Sequence, residues 1–173
     1  MTINHIQRLY DYNDWAWQQV FPSLAQLDDA TYKLDRGFFW GSLHSLMVHS
    51  MSAEYIWTQR IMGTSPRAML DPADYATFPV VQAQWTEIDG KLRQLVATLA
   101  DQDLERPIAY TDRSGQPFST QLGDILLHVV NHATEHRSQM TPVLFALNVA
   151  TPPLDYIFFT RAKGSVRDVK LHV

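Results

Sequence analysis

Apolar residues recur at helical spacing along four long stretches of the chain. The pattern predicts helices over Thr2–Leu27, Ser42–Met62, Val81–Ala100 and Gln121–Asn148, with Pro22 producing a kink or restart inside the first. Thr2 and the serine at the start of the second stretch are good helix caps, and a glycine follows its end. Four long amphipathic stretches predict an all-α four-helix bundle.

The segments between these stretches have a different composition. Asp28–Gly37 is predicted to be a loop, and Thr64–Pro79 contains three prolines and is predicted to be an irregular crossing segment. Ile108–Thr111 and Pro117–Ser119 flank a glycine-containing turn, which predicts a small β-hairpin before the last long helix. Leu154–Ala162 is predicted to form a short C-terminal helix. We expect one domain spanning residues 1–173.

Composition excludes several classes of function. The 173 residues carry a net charge of −4, and the scattered basic residues argue against nucleic-acid binding. The absence of cysteine excludes disulfides and thiolate ligands. No apolar run reaches about 18 residues, so no membrane span is predicted, and the polar N-terminus lacks the apolar core of a signal peptide. We therefore expect a cytoplasmic protein.

The candidate chemistry lies in the last long helix. His128, His132 and His136 are spaced four residues apart, which places them on one helical face that is otherwise apolar except for Glu135 and Gln139. Two imidazoles at this spacing can bind one metal ion, and buried imidazoles need partners. We assign His132 and His136 as ligands, while His128 is interpreted as a core residue or a partner behind the ligands.

A third ligand must come from another helix, and His49 is the best candidate. Small residues flank it on its own face of the second helix, Ser45, Ser52 and Ala53 among them, which leaves space for an ion. His44 points roughly 140° away on the helical wheel and is expected to be exposed.

Three neutral imidazoles would leave the charge of a divalent ion uncompensated and one coordination position open. Such an ion lowers the pKa of a water molecule or a thiol, which predicts hydrolysis or thiol transfer. Nitrogen ligation suits zinc, nickel or iron, with one ion per chain. Glu135 flanks His132 on the same face and is the candidate catalytic base, the alternative being a carboxylate paired at the rim of the bundle.

The stretch His128–Gln139 resembles the last-helix motif of the DinB/YfiT-like family. Further resemblance covers Tyr12–Ala16, Gly41–His49 with Ala53–Trp57, and Pro152–Asp155, so it extends in order along nearly the whole chain. The resemblance implies an up-down-down-up four-helix bundle, usually dimeric.

The same resemblance implies a divalent metal held by three histidines, which map onto His49, His132 and His136. One departure concerns Glu135, because many relatives have a histidine at this position. Some related members use low-molecular-weight thiols in S-transfer or isomerisation, so the resemblance implies a small-molecule substrate, a thiol among them, and a function in detoxification or stress response.

Two other functions remain as alternatives. The motif from His132 to His136 matches H-x-x-E-H of one class of metalloprotease, but those enzymes need a further acidic ligand downstream. The chain after His136 contains no glutamate, only Asp155 and Asp168, so this function is disfavoured. In the other alternative the protein is a non-enzymatic metal-binding or interaction bundle, which a metal closed off by protein ligands would favour.

Overall fold

The computed structural model describes residues 1–164 and is mostly helical. Among these residues no helix is both long and apolar enough to cross a membrane. The helices are α1 (Ile3–Leu24), α2 (Asp29–Lys33), α3 (Leu43–Ile61), α4 (Phe78–Ala97), α5 (Leu122–Ala146) and α6 (Tyr156–Ala162), and the strands are β1 (Pro107–Thr111) and β2 (Pro117–Gln121).

Helix boundaries follow local chemistry and differ from the predictions at several positions. Side-chain oxygens cap two helices: that of Asp28 accepts from the backbone of Thr31 in α2, and that of Ser42 begins α3. The segment predicted to be a loop therefore contains α2, because the Asp28 cap stabilises a short helix. The first helix continues through Pro22 without a restart, since proline near the end of a helix leaves most of its hydrogen bonds intact. Helix α4 begins at Phe78 rather than at Val81.

The four long helices pack in the pattern expected of a four-helix bundle. Helix α1 contacts α4 and α5, and α3 contacts the same two helices. The interior contains two main apolar clusters. One surrounds Trp17 and Trp85, whose ring centroids are 4.4 Å apart, and the other lies towards the hairpin around Leu92 and Leu126. Helix α5 contributes to both clusters, so its position in the bundle is fixed along its length.

The hairpin is antiparallel, with Pro107 opposite Gln121 and Thr111 opposite Pro117. Its turn is held by the side chain of Asp112, which accepts hydrogen bonds from the backbone of Ser114 and Gln116. Because β2 leads directly into α5, the hairpin and the histidine helix form one continuous unit. Both strands are slightly longer than predicted.

Candidate metal centre

Helices α3 and α5 bring three histidines of distant sequence together. The Nε2 atom of His132 lies 3.0 Å from Nε2 of His136 and 3.2 Å from Nε2 of His49. One ligand atom from each of the three residues lies within 4.8 Å of the other two. Nitrogens that share one zinc ion at about 2.0–2.1 Å are roughly 3 Å apart. The described residues therefore present a cluster that can hold a metal ion.

Gln139 orients one of the three rings. Its side-chain oxygen lies 2.8 Å from Nδ1 of His136, one turn along the same helix. An oxygen acceptor at this position requires a proton on Nδ1, so Nε2 of the neutral ring presents its lone pair to His132. Hydrogen bonding of this kind is how proteins fix the tautomer of a metal-binding histidine.

Burial favours the neutral form of two of the three rings. His136 is 3% exposed, and His49 and His132 are partly buried. Burial is the largest cause that lowers the pKa of His49 to about 4 and that of His132 to about 3, and the neighbouring imidazoles lower both further. Neutral imidazoles are the form that binds metal ions, so His49 and His132 do not need to lose protons at neutral pH.

The ring of Trp40 forms an aromatic wall of the histidine cluster, which was not predicted from the sequence. Its ring stacks on that of His49 with centroids 3.5 Å apart, and it meets His136 edge to face at 5.9 Å. Nδ1 of His49 is buried and has no hydrogen-bond partner in the part of the chain that the structure describes. Because Nδ1 makes no hydrogen bond, stacking on Trp40 helps to hold the ring of His49 in place. The exposed Phe39 packs against Trp40 and extends the wall towards solvent.

Glu135 lies outside the cluster of three. Its side chain is exposed, and its carboxylate makes no hydrogen bond or ion pair among residues 1–164, although it influences the pKa of His128. The role of Glu135 as a catalytic base stays a prediction. His128 is also exposed, so its interpretation as a core residue is wrong, but its ring lies beside those of Trp57 and His132.

The expectation that His44 is exposed is wrong. Its side chain is only 7% exposed, and Nε2 lies 2.8 Å from the carbonyl oxygen of Tyr75 in the crossing segment between α3 and α4. Its ring also meets Tyr32 edge to face. The direction of the residue on α3 was predicted, but the segment that covers this side of the helix was not. His44 is therefore a buried residue with a backbone partner, and it lies apart from the cluster.

The opposite side of α5 presents a buried cation. Arg137 is 1% exposed, and its guanidinium donates to Asn13 Oδ1 at 2.5 Å and to Thr134 Oγ1 at 2.9 Å. The rings of Tyr12 and Trp17 lie against it at 5.6 Å and 5.0 Å. Burial lowers the pKa of Arg137 to about 10, so it remains charged at neutral pH. At about 100° per residue Arg137 lies about 140° from His132 on the helical wheel, so it turns away from the histidines and into the packing of the bundle.

Two neighbouring carboxyl groups lie on α3 and α4. Glu54 is 3% exposed and Asp89 is partly buried. Burial raises the pKa of Glu54 well above its ordinary value and that of Asp89 to about 6. Both shifts disfavour ionisation of the two groups together, as expected for neighbouring carboxyl groups.

Comparison with known proteins agrees with this architecture. The model of the DinB family matches residues 1–168. The chain belongs to the DinB family. Protein DinB of Bacillus subtilis (strain 168) is 26% identical over 168 residues, which span 90% of this chain and 95% of that protein.

The fold of this DinB family member is also found in a solved structure. The crystal structure of a DinB-like protein from Bacillus cereus ATCC 10987 superposes with a TM-score of 0.66 and 17% identity, covering 88% of this chain and 97% of that chain. At this level of identity the similarity concerns the fold alone. The predicted family and the all-α class with its small hairpin are confirmed.

Proposed function

We propose that this DinB family member is a divalent-metal-dependent enzyme whose ion is bound by His49, His132 and His136. The observation that supports the proposal most directly is the convergence of their three Nε2 atoms. Nitrogen ligands favour zinc, nickel or iron, and we propose one ion per chain.

The chemistry of the donors fits such an ion. Burial keeps the imidazoles of His49 and His132 neutral, and Gln139 holds His136 in the tautomer that offers Nε2. No carboxylate joins the cluster in the described part of the chain. When bound with an open position, a divalent ion lowers the pKa of a water molecule or a thiol placed there.

The proposed reaction is transfer of a low-molecular-weight thiol to a small electrophile, as in detoxification or stress response. The sulfur forms a bond to the electrophilic carbon, the bond from that carbon to its leaving group breaks and the leaving group departs as an anion with the electron pair, and the thiol proton passes to a base. We propose Glu135 as that base, because its exposed carboxylate lies one residue before a ligand and has no competing hydrogen bond among residues 1–164. The wall formed by Trp40 and Phe39 would contact an apolar part of the substrate. We further propose a cytoplasmic homodimer.

The alternative is a bundle that binds metal without catalysis. In that case the ion would only stabilise the contact between α3 and α5, and no substrate would react. The metalloprotease alternative gains no support, because Asp155 lies outside the histidine cluster and Asp168 lies outside the described residues.

Two measurements test the proposal in sequence. Elemental analysis of protein loaded with zinc or nickel and then dialysed is expected to give about one ion per chain. The loaded protein is then mixed with 1-chloro-2,4-dinitrobenzene and several thiols, and thioether formation is followed by absorbance. Metal-dependent acceleration with at least one thiol, reduced in Glu135→Gln, supports the enzyme. Tight metal binding without acceleration for any thiol favours the non-enzymatic alternative.

A further inference from the structure

The strongest feature outside the histidine cluster is the buried charge of Arg137. None of the carboxylates among residues 1–164 forms an ion pair with it. Asn13 Oδ1 and Thr134 Oγ1 accept hydrogen bonds from the guanidinium instead, and the ring of Tyr12 lies against it. These bonds use two of the five N–H groups that a guanidinium carries. A buried cation that no carboxylate contacts directly has a net attraction for an anion.

An open cavity of about 470 Å³ adjoins this cation. Thr134, which accepts from Nη2 of Arg137, lines the cavity together with the hydroxyl groups of Ser138 and Thr141. At about 100° per residue these positions lie on the side of α5 opposite His132 and His136. The cavity is therefore separate from the candidate metal centre.

The opposite wall of the cavity is apolar and rigid. It is formed by the consecutive residues Pro152–Leu154 and by the ring of Tyr156. Tyr12 fastens this segment, because its hydroxyl donates to the carbonyl of Leu154 at 2.9 Å. Proline backbones lose little entropy when a ligand binds, so the wall is preformed.

We propose that this cavity binds a small organic monocarboxylate, with the carboxylate at Arg137 and the apolar part of the molecule against the proline wall. A planar guanidinium matches the two oxygens of a carboxylate, and the adjacent hydroxyls complete their hydrogen bonds. The exposed carboxylate of Asp155 also lines the cavity and repels additional negative charge. This favours a singly charged organic acid over inorganic phosphate. The inference does not depend on the proposed enzymatic function.

Calorimetry on the full-length protein tests the site with three probes. Phenylacetate is expected to bind at one site per chain, and uncharged phenylacetamide, which has the same shape, at least about tenfold more weakly because the charge-assisted hydrogen bonds are lost. Inorganic phosphate is expected to bind more weakly than phenylacetate. Equal binding of phenylacetate and phenylacetamide, or tighter binding of phosphate, would overturn the proposal.

Variants locate the binding without removing the buried arginine. Thr141→Trp fills the cavity and is expected to abolish phenylacetate binding. Thr86→Trp, which places the same side chain on the exposed face of α4, is expected to leave binding unchanged. His132→Ala removes the candidate metal site, so phenylacetate cannot bind there through a metal ion. Because the cavity is separate from that site, the affinity for phenylacetate is expected to persist in this variant. Loss of binding in His132→Ala with retention in Thr141→Trp would place the anion at the histidines and overturn the inference.

Discussion

The two sides of α5 bury groups of different electrostatic character, although His136 and Arg137 are adjacent in sequence. On one side His136 is buried beside His49 and His132, and the three Nε2 atoms converge. On the other side Arg137 is buried as a permanent cation, surrounded by neutral acceptors and aromatic faces. A cation would interact favourably with the histidine side, whereas the arginine side already contains a cation, the guanidinium of Arg137.

The difference lies in the kind of partner that each buried group has. Each set of partners reaches the helix from a different neighbour, α3 for the histidines and α1 for the arginine. The guanidinium has hydrogen-bond partners of its own, which makes it part of the packing of the bundle. In the histidine cluster Nδ1 of His49 has no partner in the described chain, and Trp40 supplies only stacking. A buried polar atom without a partner calls for a physical explanation, and a site for an ion is one such explanation.

The largest expected effect is the loss of bound metal when one imidazole is removed from the histidine side. His132→Ala is expected to reduce the bound metal from about one ion per chain to none, because two nitrogens rarely retain a divalent ion. Elemental analysis after dialysis measures the change. His44→Ala, on the same α3 helix as His49 but bonded to a backbone carbonyl, is expected to keep full loading. Equal losses in the two variants would show that the ligands are assigned wrongly.

The second largest expected effect is a loss of stability when Arg137 loses a hydrogen-bond acceptor. Asn13→Ala leaves a donor of Arg137 without its acceptor and is expected to lower the free energy of unfolding by about 2–3 kcal/mol. Chemical denaturation measures this loss, and metal loading is expected to be retained. Gln18→Ala, an exposed position on the same helix, serves as the control and is expected to change stability by less than about 0.5 kcal/mol. A similar change in both variants would mean that the buried pair contributes little.

A smaller effect concerns the orientation of His136. Gln139→Leu removes the acceptor for Nδ1, and we expect metal affinity to fall about 10-fold to 100-fold. Competition with a chromogenic chelator measures the affinity. Gln139→Glu keeps an oxygen acceptor and is expected to preserve binding. If leucine and glutamate gave the same affinity, the hydrogen bond would have no part in orienting the ring.

The smallest expected effect concerns how the stability of the fold depends on pH, through the neighbouring carboxyl groups of Glu54 and Asp89. The pKa of Asp89 rises on folding from its ordinary 3.8 to about 6, mainly because of burial. Between these values the folded chain binds more protons than the unfolded chain, so stability falls as pH rises from about 4 through about 6.

Replacement of Asp89 tests this dependence. Asp89→Asn is expected to reduce the fall in stability over this pH window, as measured by thermal unfolding at a series of pH values. Glu87→Gln, on the exposed side of the same helix, is expected to keep the slope of the unmodified protein. An unchanged slope in Asp89→Asn would show that the proton is held elsewhere.

Sequence reasoning succeeded where the information is local. The spacing of apolar residues predicted the four long helices, and the spacing of His132 and His136 placed both on one face of α5. The small residues around His49 indicated space for an ion. The direction of Arg137 away from the histidines also follows from helical geometry alone.

Local information failed where a second segment covers a helix. His44 was expected to be exposed, but the crossing segment carries the carbonyl of Tyr75 onto it. His128 was interpreted as a core residue or a partner behind the ligands, yet its side chain is exposed, beside the rings of Trp57 and His132. Trp40 was assigned no role from the sequence, although it stacks on a candidate ligand. None of these contacts has a periodic signal in the sequence.

By itself, the sequence determined which residues share a helical face, because about 100° of rotation per residue is a property of the backbone. It thereby determined the pairing of His132 with His136 and their opposition to Arg137. Only the tertiary structure decided that His49 meets this pair from α3, that Asn13 meets the arginine from α1, and which faces remain open. Those contacts depend on how helices distant in sequence pack, and packing is set by the apolar surface of the whole bundle.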